Sequence, residues 1–329
     1  MSYAVCNRRA VARTIALVGV WFSLVRISSA ADWLYLDNGQ VRLGVDRAAG
    51  ASIGFFGESA TGRNLLNHHD KGRFIQQSYY GAKDGSDWNG KAWRWNPVQG
   101  GGWRGEPART LAFTNTATTL YAKTLPKHWA TGADLPEVVM EEWIELRDRV
   151  AHIRFRMSYT EARAGDLQSP SAAQRKPTDG GYKPPAQPPA HQELPAVFVD
   201  FALTNLVYYK GDAPWTGGAL TRRVPGWPNE YDKQLTENWA AYVDARDWGL
   251  GVFVPGTTEM TFYRNAGKPG PTGSGCSYLA PIRTLAITNG FKLDYEVFLT
   301  IGTVSELRGK FRTLADESRR KPAARESRE

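Results

Sequence analysis

The 329-residue chain has two cysteines, Cys6 and Cys276, and five histidines. Cys6 lies in a leader-like start, which leaves Cys276 alone and excludes an internal disulfide framework. A body of this length buries enough core without one. No Cys or His cluster has metal-ligand spacing and no cofactor is expected, while a calcium ion held by scattered carboxylates and carbonyls stays open. There is no Gly-x-Ser-x-Gly nucleophile elbow. The glycine-rich "GKPGPTGSG" (267–275) lacks the Walker pattern and opens no helix. Helical periodicity is scarce, and no helices alternate with strands, which argues against a parallel α/β sheet.

Long apolar runs are also missing, with one exception near the start. Arg8, Arg9 and Arg13 precede "TIALVGVWFSLV", and "SSA" stands before Ala31. The run is shorter than the roughly 20 residues of a spanning helix. Basic start, short apolar run and small-residue cleavage site together predict an export signal over residues 1–30. The mature chain is then expected in the periplasm or outside the cell, without membrane attachment.

Positive charge is less abundant than the formal net of +8 suggests. Four of those charges sit in the first thirty residues and three in the terminal "SRRKPAARESRE", leaving +1 over residues 31–317. A near-neutral body lacks the field that nucleic-acid binding needs, so no such partner is expected. Residues 318–329 read as a basic, solvated tail.

What the chain has in quantity is strand pattern. "WLYLD", "QVRLGVD", "RTLAFTN", "EVVMEEWIELR", "VAHIRFRMSY", "WGLGVFVPG" and "KLDYEVFLTIG" are rich in β-branched and aromatic residues and are punctuated by Gly, Asn, Asp or Pro. These predict an all-β fold, a large antiparallel β-sandwich forming one domain over residues 31–317. Only "TVSELRGKFRTLADES" predicts a helix, with Thr303 and Glu306 at capping-box spacing and Leu307, Phe311 and Leu314 on one face. Seven prolines between Arg163 and Pro195 predict a loop insertion.

A two-residue turn at Asp148 and Arg149 would pair Glu145 with His152, Trp143 with Arg154 and Ile144 with Ile153. Glu142 then faces Phe155 on the apolar side. Either the strand carries a bulge there, or Glu142 is a desolvated carboxylate with a raised pKa, of the kind used as a general acid.

"GRFIQ" (72–76) and, some twenty residues later, "NPVQGG" (96–101) are similar to two segments of the galactose-mutarotase-like superfamily. These are its glycine–arginine segment and its Asn-x-x-His-Gly-Gly, with Gln99 where the histidine would stand. "NGFKLDYEVFLTIG" resembles its closing strand. The resemblance covers most of residues 33–305 and implies a supersandwich fold that faces sugars. The family's His-x-Tyr-Phe-Asn element is missing, so mutarotation itself is disfavoured.

The stretch from Ala82 to Pro107 holds four tryptophans and six glycines. Indoles on a flexible stretch suit the C–H face of a pyranose, while interleaved amides and charges suit its hydroxyls. A saccharide is therefore the expected partner, bound by Trp88, Trp93, Trp95, Trp103, Asn96 and Gln99 together with Arg73, Gln76 and Tyr79. Glu193, where the proline-rich segment gives way to a strand, pairs with Glu142 or Asp200 in the leading expectation, a glycoside hydrolase. The alternatives are a polysaccharide lyase, with His191 or a tyrosine as base and Arg73 clamping a uronate carboxylate, and a non-catalytic binding module.

Overall fold

In a computed structural model, residues 32–161 and 187–320 are described. The segment expected to be an export signal, the first part of the proline-rich segment and the tail from residue 321 lie outside the described residues. The chain opens with a meander of β1 (Trp33–Asp37), β2 (Val41–Asp46) and β3 (Ser52–Glu58). Then come a separate hairpin, β4 (Lys83–Trp88) and β5 (Lys91–Arg94), and the short β6 (Pro97–Val98). β7 (Arg109–Asn115), β8 (Thr119–Leu125), the short β9 (Lys127–His128), β10 (Val138–Arg147) and β11 (Val150–Tyr159) follow.

Beyond the proline-rich segment lie β12 (Gln187–Glu193), β13 (Val197–Asp200), β14 (Asn205–Tyr208), β15 (Thr221–Arg223) and β16 (Glu230–Asp232). The last strands are β17 (Trp239–Val243), β18 (Trp248–Phe253), β19 (Glu259–Asn265), β20 (Cys276–Ile287) and β21 (Lys292–Thr303). Helix α1 (Val304–Arg320) closes the described chain.

A large sheet runs β15-β14-β17-β18-β21-β11-β10-β8-β7, and a small one runs β12-β20-β19-β16 with β13 also on β20. All their pairings are antiparallel. Period-two alternation sends Ile144, Ile153 and Val297 of the large sheet into the same core as Phe262, Leu279 and Val199 of the small sheet. The meander adds Leu43 and Phe56 to that core. This is the expected sandwich.

The outer face of the large sheet is covered by α1, whose Leu307 and Phe311 pack on Trp239, Phe253 and Phe298. The capping box forms: Thr303 N donates to Glu306 Oε2 at 2.7 Å. Glu237, fully buried, accepts from Arg308, from Trp239 Nε1 and from Trp215 N, clamping the helix down.

The β10–β11 hairpin has the expected register, with Glu142 opposite Phe155 and no bulge. Asp148 takes the left-handed conformation that the two-residue turn requires (φ 48°). One expectation changes. The proline-rich segment is not loop to its end, because β12 starts at Gln187. β12 is an edge strand, and its ladder is irregular between Gln187 and Ala190, where Pro188 and Pro189 cannot donate.

Candidate functional site

A cleft of about 690 Å³ lies on the outer face of the small sheet. Its floor follows from strand alternation: Leu279 of β20 points into the core, while Tyr278 points outward beside Phe198 and Tyr263. Tyr263 and Tyr278 stack with ring centroids 4.3 Å apart.

The first wall is Asp70–Tyr80. Asp70 caps a short 3-10 turn, Lys71–Arg73, by accepting from Gly72 N at 2.9 Å. A Cβ on Gly72 would come 3.0 Å from the Trp129 ring, so any side chain there would push that ring aside by a few tenths of an ångström. The following residues form only isolated bridges, at Ile75 and Ser78, yet they still alternate. Ile75, Gln77 and Tyr79 are buried behind the wall, and Phe74, Gln76, Ser78 and Tyr80 line the cleft.

The second wall is the β4–β5 hairpin, closed by Asn89 and Gly90 with positive φ, an Asn-Gly two-residue turn. Trp88 and Trp93 pack at 4.6 Å on it, and Trp129 lies 6.3 Å beyond Trp88. His128 Nε2 and Asp84 Oδ2, 2.8 Å apart, tie the hairpin to the body. Burial works against the Asp84 charge, but bonds from His128 and Ser86 outweigh it and hold that carboxyl down at about 2. Trp103 completes the wall, fixed by Nε1 donating to Ala130 O at 3.1 Å.

Glu193, the last residue of β12, reaches this cleft. Tyr278 Oη donates to Glu193 Oε1 at 2.5 Å, and Tyr80 Oη to Oε2 at 3.5 Å. Burial pushes the Glu193 pKa up, and the two phenol bonds only partly offset it. The phenols are raised as well, Tyr80 chiefly by the Glu193 charge and Tyr278 chiefly by burial, so both remain proton donors. An acid that holds its proton more tightly than usual, bonded to two phenols, is equipped to give and take a proton.

Arg73 faces the same space. It is oriented by Asn67 Oδ1 at 2.9 Å and Ser274 O at 3.2 Å, with Asp70 Oδ2 3.6 Å from its Nε. Lys71 and Arg104 also line the cleft and have no ion pair among the described residues. The acids on the lining are Asp70 and Glu193, so cations are in excess there.

Of the residues expected at the site, Glu193, Arg73, Gln76, Trp88, Trp93, Asn96 and Trp103 come together in this cleft. Gln76 and Asn96 largely spend their amides on the wall. Gln76 Oε1 accepts from Gly100 N at 2.7 Å, and Asn96 Nδ2 donates to Tyr79 O at 2.8 Å.

Six others lie elsewhere. Trp95 is a core residue against Tyr159, and Tyr79 is on the buried side of its segment. Gln99 is buried, its Nε2 donating to Gly50 O at 2.9 Å. Glu142 is fully enclosed between the sheets with no hydrogen-bond partner for either carboxylate oxygen. Its pKa is pushed up to about 8 by burial, against a small opposing effect of Gln99. Asp200 is occupied as an acceptor for Gly270 N and Ala202 N, at 3.0 and 3.1 Å. His191 is exposed on β12, its ring 6.1 Å from that of Tyr231. The carboxylate pair expected from Glu193 with Glu142 or Asp200 is therefore not assembled, because strand alternation and a turn-holding role take the partners away.

Tyr80, Tyr278, Tyr263, Trp129 and Trp227 were not singled out from the sequence. The alternation of "GRFIQQSYYG" carried the signal for Tyr80, since one of its two faces had to meet something polar. Among the described residues, no group of three or more His, Cys, Asp or Glu side chains could hold a metal ion.

No protein family and no curated protein matches the sequence. Solved structures do resemble the fold. A galactose mutarotase-like protein from Lactobacillus casei ATCC 334 is 9% identical over 82% of this chain and all of its own, with a TM-score of 0.47. A galactose mutarotase related enzyme from Lactobacillus acidophilus is 8% identical over 82% of this chain and 97% of its own, at 0.46. A 4-alpha-glucanotransferase from Thermococcus litoralis is 9% identical, matching 83% of this chain to 38% of its own, at 0.43. The likeness is one of fold alone, and the site is read from this chain's own residues.

Proposed function

We propose that the chain is a carbohydrate-active enzyme that holds a saccharide in the aromatic cleft and breaks a glycosidic bond by proton transfer at Glu193. The observation that carries this reading is the 2.5 Å bond between Tyr278 and Glu193 in a cleft walled by Trp88, Trp93 and Trp103. Indole faces take the C–H face of a sugar ring. The protonated Glu193 gives its proton to the leaving oxygen as the C–O bond breaks, and Tyr278 steadies the carboxylate left behind. Hydrolysis also needs a carboxylate to activate water, and Asp70 is the other acid on the lining. An exported enzyme, as the leader predicts, would meet such a substrate outside the cytoplasm.

A second reading is favoured by the cations. Lys71, Arg73 and Arg104 suit a uronate carboxylate, whose neutralisation acidifies the adjacent C–H bond for elimination. Incubating the protein with neutral and uronic polysaccharides separates the two. New reducing ends without an unsaturated-uronate absorbance mean hydrolysis, and that absorbance means elimination. Binding without either product leaves a binding module and removes Glu193 from any mechanism.

A further inference from the structure

The cleft does not end at its rim. Among the described residues, three of the five large hydrophobic side chains that stand exposed fall within eight positions: Val224 (59%), Trp227 (67%) and Tyr231 (50%). Single exposed apolar residues are ordinary, but one at the mouth of a cleft extends its contact surface. Trp227 lines that mouth with Asn229 beside it. Its ring meets Tyr263 edge-on at 5.0 Å, and Tyr263 stacks on Tyr278, which bonds to Glu193. A continuous aromatic path thus leads from solvent to the acid.

The connection carrying Trp227 runs from β15 of the large sheet to β16 of the small one, and it is anchored. Arg264 N donates to Gly226 O at 3.0 Å, and Asn229 Nδ2 donates to Thr261 Oγ1 at 3.4 Å. The indole is therefore held out at a fixed place without being covered. Such a ring is ready to stack on a flat apolar face without further ordering.

We infer that Trp227 is an outer subsite for a saccharide chain that leaves the cleft across the rim, so that the substrate is an oligomer or polymer and not a free monosaccharide. This rests on the proposed function, because the occupant is the same chain whose bond lies at Glu193. Continuity with the cleft and the adjoining Asn229 Oδ1, an acceptor for a hydroxyl, favour a sugar over an apolar partner there.

The test is affinity against chain length, using the full chain and two ligand series of one to six residues: β-1,4-linked glucose oligomers and α-1,4-linked galacturonate oligomers. Wild type should bind the longer members of at least one series more tightly. Trp227→Ala should lose about 5- to 100-fold on those members, the scale of one lost stacking platform, and leave the shortest bound ligand unchanged. Length-independent binding by wild type, or an equal loss at every length in the variant, overturns the outer subsite and leaves the cleft intact. No binding at any length in either series removes the saccharide reading and the subsite together. A dimer that Trp227→Ala converts to monomer would assign the exposed indole to a second copy instead.

Discussion

Three pairs of like residues divide between the cleft and the core. Tyr80, Trp93 and Glu193 line the cleft, and Tyr79, Trp95 and Glu142 are packed inside. Two of these pairs are one and two positions apart in the chain. Residue type therefore says little about role here: the pleat of the backbone separates Tyr79 from Tyr80, and the end of β5 at Arg94 lets Trp95 turn into the core while Trp93 stays on the cleft. The two glutamates carry the contrast furthest. Both are raised by burial, but Glu193 has two phenols for partners and an open cleft, and Glu142 has no partner and no access.

The sharpest way to break this comparison is to exchange each acid for its amide. Glu193→Gln should lower turnover by about 10²–10⁴-fold with saccharide binding kept, as for loss of an acid/base group. Glu142→Gln should leave turnover within a few-fold. Turnover lost in Glu142→Gln with the fold intact would move the chemistry to the interior.

The tryptophans divide in the same way. Trp95→Ala should cost about 3–5 kcal/mol of stability in urea unfolding, as for a large core truncation, with the affinity of the folded fraction unchanged.

Glu142 should also leave a mark on stability against pH. The native state keeps the Glu142 proton to about pH 8, while the unfolded chain releases it near the ordinary carboxylate value. This contribution is full below the unfolded value and is lost as pH rises to the folded one, by about 5 kcal/mol at pH 9. Urea midpoints at pH 5 and pH 9 should draw together in Glu142→Gln. An unchanged gap would mean that the acid is not buried.

The smallest effect is expected at the cleft. Trp93→Ala should weaken saccharide binding by about 1–3 kcal/mol in calorimetry and barely alter stability.

The architecture was legible because hydrophobic alternation and turn residues act locally. The register of β10 and β11, the capping box on α1 and the antiparallel class all follow from residues within about twenty positions of each other. Of the candidate cleft's lining, the sequence pointed to three indoles of the 82–107 stretch and to Glu193 at a change of composition. What remained hidden depends on contacts distant in sequence: Tyr278 meets Glu193 across 85 positions. "GCSYLAP" has no feature that marks its tyrosine as facing a cleft. Glu142 and Asp200 were plausible partners by type alone, and only the packed sheets reveal that one is sealed and the other holds a turn.

The strand β20 receives β12 and β13 end to end along one edge, so that Glu193 sits opposite Ile282, four residues from Tyr278. The spacing of acid and phenol is thus written into a hydrogen-bonded ladder instead of a pliable loop, and it comes in steps. Moving β12 along its neighbour by one position would swing Glu193 indoors and put Gln192 or Leu194 in its place. Small drift in surrounding side chains leaves the pair untouched, whereas one residue added or deleted between Glu193 and Val197 would break the common register of acid and phenol.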